Sequence, residues 1–395
     1  MMRNRFNGLA ARAKELALLA VLAVLAACVS ACSSSGSGSK EPEPAKLEKF
    51  TEEVQLKTLW SRSVGDGQGK IWNRLRPAID GNSLFVADSD GRVFAFNRET
   101  GEVLWKKALD VPVSGAVGAG DGLLLLGTLR GEVLALAAVD GAEKWRAQVG
   151  SEVLAPPAAN TDAVIVQTQD DRVIALSPAD GHQLWLFDNT PATLSLRGTS
   201  APIVTSRLAV VGLSSGKVLA LEARTGVPQW EQRIAIPQGR SELERIVDID
   251  GSLLLSGNTL YVTSFQGQVA GLDLDDGHVL WQHEASSYAG VSERQGYVYL
   301  SQANGTVESL DERSTSLMWS NDALARRELS APEVFGDYIA VGDKEGYLHL
   351  LSQTDGHFVA RQKIDGSGLR ARPLVAGDTL YVYGNGGKLV ALKIQ

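Results

Sequence analysis

An all-β chain, folded as an eight-bladed β-propeller of four-stranded antiparallel blades, is the architecture that three features of this sequence predict. Seven of the eight tryptophans (Trp60, Trp105, Trp145, Trp185, Trp230, Trp281 and Trp319) are spaced by 45, 40, 40, 45, 51 and 38 residues, and the next beat falls 41 residues on at Ala360, where the indole is missing. A period near 40 residues marks a repeat architecture. Each beat carries the same short motif, as in GRVFAFNRETGEVLW, GEVLALAAVDGAEKW and GKVLALEARTGVPQW. After residue 30 no stretch of ten or more residues keeps the 3.6-residue period of a helix.

The chain opens on a segment of a different kind. Arg3, Arg5, Arg12 and Lys14 precede the apolar run 16–27, LALLAVLAVLAA. Twelve apolar residues are too few to cross a bilayer, so residues 1–27 read as an export signal. Leu25-Ala26-Ala27-Cys28 has the form of a bacterial lipobox, and Val29-Ser30-Ala31-Cys32 is a second, weaker candidate. Lipidation is therefore expected at Cys28, with Cys32 as the alternative. Acyl chains contribute about 0.8 kcal/mol per buried CH₂, so several of them would anchor the chain stably. Residues 28–48 then form a flexible tether containing SSSGSGSKEPEPAK, and residues 49–395 form the propeller.

Within each repeat an apolar residue (Val93, Val133, Val173, Val218, Val269, Val307, Leu348, Leu389) is followed two positions later by a mostly small one, such as Ala95 or Ala135. That alternation marks a half-buried strand. Asp-Gly or Thr-Gly follows, as at Thr100-Gly101 and Asp140-Gly141, and the glycine's freedom at positive φ lets the chain reverse into the tryptophan strand. The sixth copy has Thr315 in place of the turn glycine. Two more strand-like runs precede each motif, as in NSLFVADSDG, which makes four strands per unit. TLWSR near the N-terminus is a tryptophan strand without inner strands, and the C-terminal GGKLVALKIQ is an inner strand without a tryptophan strand. Pairing the two would complete the eighth blade and close the ring. The tryptophans themselves read as structural pegs.

Composition narrows the function. The net charge is −8 and no basic run appears, which argues against a nucleic-acid partner. Both cysteines lie before the propeller, so it can hold neither a disulfide nor a cysteine metal site. Gly212-Leu213-Ser214-Ser215-Gly216 fits the G-x-S-x-G string, but it is expected in a hairpin rather than the strand–turn–helix elbow that catalysis needs. Residues 65–70, GDGQGK, lack the Walker spacing, and Asp273, Asp275 and Asp276 lack the downstream Glu of a calcium loop. His182, His278 and His357 follow turn glycines in different repeats and should be exposed and far apart; His283 and His349 read as isolated. No catalytic set and no cofactor or metal site is expected.

The informative places are where the spacing runs long. The interval from each tryptophan position to the next inner-strand apolar residue is 26 to 29 residues in five cases, but 33 after Trp60, 33 after Trp185 and 39 after Trp230. The last two insertions, NTPATLSLRGTSAP and IPQGRSELERIVDIDGS, fall in successive intervals and should be spatial neighbours forming loops on a binding face. Leu194, Leu196 and Arg197 read as interface anchors, and Asp248 and Asp250 as partners for a basic group. The alternative is that the leucines cap the core and the aspartates satisfy turn amides.

The lipobox, the tether, the WSRSVGDG opening, the eight repeats and the pair TLSLRGTSAP and ERIVDIDG together resemble the BamB family, lipoprotein subunits of the outer-membrane β-barrel assembly machinery. The resemblance covers essentially the whole chain. It implies a non-catalytic scaffold on the periplasmic face of the outer membrane, working with the other Bam subunits in the folding and insertion of outer-membrane proteins. In that family the L-S-L-R and D-x-D loops contact the POTRA domains of BamA; the matching positions are Leu194, Leu196, Arg197, Asp248 and Asp250. Unfolded outer-membrane protein clients could add a strand at a blade edge. Two other readings stand beside it: a quinone-dependent dehydrogenase-like enzyme, whose propellers share the repeat, and a periplasmic ligand-binding propeller.

Overall fold

Among the described residues the alternating apolar runs become thirty-two strands in eight four-stranded antiparallel sheets. The computed structural model describes residues 43–395; the expected signal and both candidate lipidation sites, Cys28 and Cys32, lie outside the described residues. Blade one consists of Ala78–Asp80, Ser83–Ala87, Arg92–Asn97 and Val103–Ala108, hydrogen-bonded in chain order, and six further blades repeat that order. The eighth is shared between the two chain ends. Leu56–Ser63 pairs with Lys388–Ile394, which continues into Thr379–Tyr383 and Leu374–Ala376, with Trp60 opposite Ala391. The expected closure is therefore the observed one.

The first strand of each blade faces the ring axis, where most successive first strands touch; it is short except in blade two, where it spans Val113–Gly120. The tryptophan strand is the outermost. Its register slips by one residue just before the indole, as between Ala95 and Phe96 opposite Trp105 and Val103. This bulge turns the extra residue outward, so Leu59, Leu104, Leu184, Leu280 and Met318 are exposed, while the indole turns inward over a small neighbour. The facing pairs are Ala95–Trp105, Ala135–Trp145, Ala175–Trp185, Ala220–Trp230, Gly271–Trp281 and Ser309–Trp319. Where the indole is absent, at Ala360, the facing residue is the larger Leu350. Between blades the cores are apolar sheet-on-sheet packings, such as Val210, Val218, Leu260, Val262 and Leu272 between blades four and five.

Six of the seven repeat indoles peg their blade to the next one. Trp60, Trp105, Trp145, Trp185, Trp230 and Trp319 donate from Nε1 to the carbonyls of Arg98, Ala138, Pro178, Ala223, Leu274 and Gln353, at 2.8–3.0 Å. The ring lies on the following blade's turn glycine; a Cβ on Gly101 would stand 2.6 Å from the indole of Trp60. This geometry accounts for the missing peg. Ala360 belongs to blade seven, and the turn it would cover in blade eight does not exist, because that blade is made from both chain ends.

The N-terminal segment occupies that place instead. The amide of Glu53 donates to Val359 O, Phe50 packs on Phe358 with centroids 5.7 Å apart, and Arg361 lies over both rings. Ala45 and Glu48, within the expected tether, accept from Arg327 Nη1 and Arg361 Nη1 at 2.8 Å each. His349 corrects the expectation of an isolated histidine. It is fully buried, takes a hydrogen bond at Nδ1 from Arg361 Nε (3.1 Å) and donates from Nε2 to Asp343 Oδ2 (3.0 Å), which also accepts from Arg327 Nε at 2.7 Å. Burial holds its pKa below the usual imidazole value, consistent with a neutral ring. The four residues are scattered over 327–361, so their convergence is a tertiary fact.

Candidate functional site

Antiparallel blades send every outer-to-inner connection to the same face of the ring, and the three long intervals fall on these connections, at 64–77, 188–202 and 234–253. The last two leave adjacent blades and pack together. Leu196 N donates to Asp248 Oδ2, Ala192 N to Ser214 Oγ (2.9 Å), and Gln169 Nε2 to Leu196 O (3.4 Å). Ser214, the serine of the G-x-S-x-G string, sits in the expected hairpin and donates to Asp171 Oδ2 at 2.5 Å. It props a loop.

The site residues divide into two groups. Leu194 is 40 % exposed; Arg197 is exposed and paired with Glu152 at 3.0 Å; Leu196 is half-buried. Asp248 and Asp250 are buried, at 0 % and 7 %. Burial, with Asp250 beside it, pushes Asp248 up to about 8. Burial pushes Asp250 up to about 6, against the opposing field of Arg74. The D-x-D pair therefore organises the loops from beneath: Asp248 holds Leu196, and Gly198 lies directly on the Asp250 carboxylate, 3.2 Å from where its Cβ would be. The outer part of the second loop exposes Ile236 and Leu243, at 64 % and 68 %. Their signal in the sequence was that of Leu194: large apolar residues in a run of loop formers.

The same face opens into a funnel of about 70 Å³ on the ring axis, and its lining was not foreseen. Arg74, Arg76, Arg197, Arg370 and Arg372 enter it, with Asp250 and Glu328 as the acidic residues. The absence of a basic run in the sequence concealed this convergence. A signal did exist: Arg74-Leu75-Arg76-Pro77 and Arg370-Ala371-Arg372-Pro373 are two R-x-R-P strings at equivalent places in the neighbouring blades one and eight. The three histidines after turn glycines sit in blades three, five and seven. Among the described residues no group of three or more His, Cys, Asp or Glu could hold a metal ion.

Comparison with known proteins follows this geometry. A family model described as outer membrane protein assembly factor BamB matches residues 53–119, 89–321 and 303–395. The chain is 59 % identical over 382 residues to the BamB of Pseudomonas aeruginosa, covering 97 % of this chain and 99 % of that one. Its fold is similar to the crystal structure of BamB from Moraxella catarrhalis, with a TM-score of 0.79 at 27 % identity, over 86 % of this chain and all of the other. A europium-containing methanol dehydrogenase has a TM-score of 0.70 at 14 % identity, over 86 % and 93 % of the two chains, a likeness of fold alone.

Proposed function

The chain belongs to the BamB family of outer membrane protein assembly factors, and on that premise we propose that it is a non-catalytic scaffold of the Bam complex, lipid-anchored on the periplasmic face of the outer membrane. In this reading Cys28, or else Cys32, carries the lipid, and the ring binds the POTRA domains of BamA alongside the other Bam subunits. The contact is made by Leu194, Leu196 and Arg197. Asp248 and Asp250 act through them, by holding the loop in its presenting shape.

One observation carries this reading. The two long connections of adjacent blades are tied to each other through Leu196 and Asp248, and the result is a fixed surface carrying an exposed leucine, an arginine and the apolar residues Ile236 and Leu243. Apolar anchors with an arginine on a preorganised loop are the usual make-up of a protein-binding hot spot. The exposed bulge residues of the outer strands, Leu104 and Met318 among them, offer apolar unpaired edges where an extended client chain could add a strand.

Affinity purification through the full chain tests the reading. BamA is expected to co-purify, and to be lost in Leu196→Ser or Asp250→Ala variants whose melting shows an intact ring. Quinone-dependent activity, or a tightly held small ligand with no BamA, would sink the scaffold assignment.

A further inference from the structure

The funnel on the ring axis concentrates positive charge in an acidic protein. Arg372 is balanced by Glu333 at 2.5 Å, and Arg197 by Glu152; Glu328 is engaged by Lys344 at 2.8 Å. Arg74, Arg76 and Arg370 have no carboxylate within ion-pair distance among the described residues. Arg74 donates to the carbonyls of Tyr288 (2.7 Å) and Asp250 (3.5 Å), and Arg370 donates to Asn73 O (3.1 Å) and stacks 3.9 Å over the Trp72 ring. The Arg76 guanidinium makes no hydrogen bond at all within the described chain. The buried Asp250 opposes Arg74, and Glu328, already engaged by Lys344, opposes Arg370 from outside ion-pair distance.

The scaffold beneath holds the cations in place. Gln68, itself fully buried, clasps the backbone of Leu75 on both sides: its Nε2 donates to Leu75 O (2.7 Å) and its Oε1 accepts from Leu75 N (2.8 Å). Leu75 is buried, so its neighbours Arg74 and Arg76 are turned to the open side. Ala371 is buried between Arg370 and Arg372 in the same way, and Arg370 N is fixed by Asn385 Oδ1 at 3.1 Å. Two R-x-R-P segments thus face each other across a blade boundary. Their charges are close enough to repel: Arg76 is pushed down to about 10 by burial and by Arg372, and Arg370 is lowered by burial and by Arg74. Like charges held together on a built framework, with donors left over, are the arrangement an anion satisfies.

We infer that the funnel binds a small oxyanion of the carboxylate or phosphate class, held by Arg74, Arg76 and Arg370. The narrow space suits one such group rather than a polymer: at about 70 Å³ it has room for a few water molecules. Planar guanidinium forks match both carboxylate and phosphate oxygens, which leaves the source of the anion to experiment. The site needs no partner protein, so it stands apart from the scaffold reading.

The test uses the full chain in detergent, titrated calorimetrically and by thermal melting with inorganic phosphate, with succinate, and with sodium chloride at matched ionic strength. Saturable heat and a rise in Tm with phosphate, succinate or both, beyond the chloride control, are expected; which of them acts identifies the class. Arg76→Gln should weaken the response at least about tenfold. Its melting without added anion should stay the same or rise, because this guanidinium has no internal partner to lose. Arg76→Lys should retain part of the binding, and Arg370→Gln provides a second variant. Responses no greater than those to chloride, or equal responses in wild type and both Gln variants, would overturn the inference.

Discussion

The backbone amide of Leu196 donates to the carboxylate of Asp248, 52 residues further on, and this contact makes one surface of two loops. Asp248 is fully buried there, and its Oδ1 has no hydrogen-bond partner. A carboxyl in that position is held in its neutral form up to about pH 8.

The sign of the resulting pH dependence follows from linkage. The folded-state pKa lies above the ordinary carboxylate value of 3.8, so the folded chain binds the proton more tightly than the unfolded one. The contribution is fully present below about pH 4 and is lost as pH rises towards 8. Asp248→Asn keeps an acceptor for Leu196 N and removes the titration. Between pH 5 and pH 8 wild type should lose about 2–5 kcal/mol that the Asn variant does not. Equal losses in the two proteins, measured by denaturant unfolding at both pH values, would contradict the assignment.

Leu194 projects from the same surface without supporting it. Leu194→Ser should change stability by no more than about 0.5 kcal/mol, yet reduce co-purification of BamA. Asp248→Ala, which releases Leu196, should lower both. A Leu194 variant that binds normally would move the contact elsewhere on the face.

Blades five and six depart from the repeat at one place each, and each departure accommodates the other. Thr315 stands at the turn with φ of 54° where other blades have glycine, and Trp281, the indole facing that turn, is the one whose Nε1 lacks a partner. That nitrogen lies instead over Gly271, where a Cβ would be only 2.3 Å away. Gly271→Ala should therefore cost about 1–3 kcal/mol. Thr315→Gly should add about 1 kcal/mol by relieving the left-handed residue. The double variant should recover more than the sum of the two, since the indole can then take up the position it has in the other blades. Strict additivity in a double-mutant cycle would show that the two departures are unrelated.

Ring closure rests on Lys388–Ile394 pairing with Leu56–Ser63. Deleting residues 388–395 should leave an unpaired tryptophan strand and an open edge on blade eight. The cooperative melting transition is expected to broaden and fall sharply. An undiminished transition in the truncated chain would mean that the ring does not depend on this clasp.

The regular part of this molecule was legible in sequence because it is local and repeated. Period-two alternation, turn glycines and a tryptophan near every fortieth residue each record a constraint met within one blade or with the next, so spacing alone yielded the blade count, the closure at the chain ends and the two long loops. What spacing could not show is how side chains from different blades meet. Asp248 and Asp250 read as partners for a basic group or as acceptors for turn amides; the fold buries both beneath the neighbouring loop, where Asp248 accepts from Leu196 N. His349 read as isolated, but Arg327, Asp343 and Arg361 converge on it. Arg74, Arg76, Arg370 and Arg372 lie in segments nearly 300 residues apart and become neighbours only because the last blade closes on the first. A strand's sequence determines its own face and register; the burial and charge of a site on the axis depend on eight connections that only the closed ring brings together.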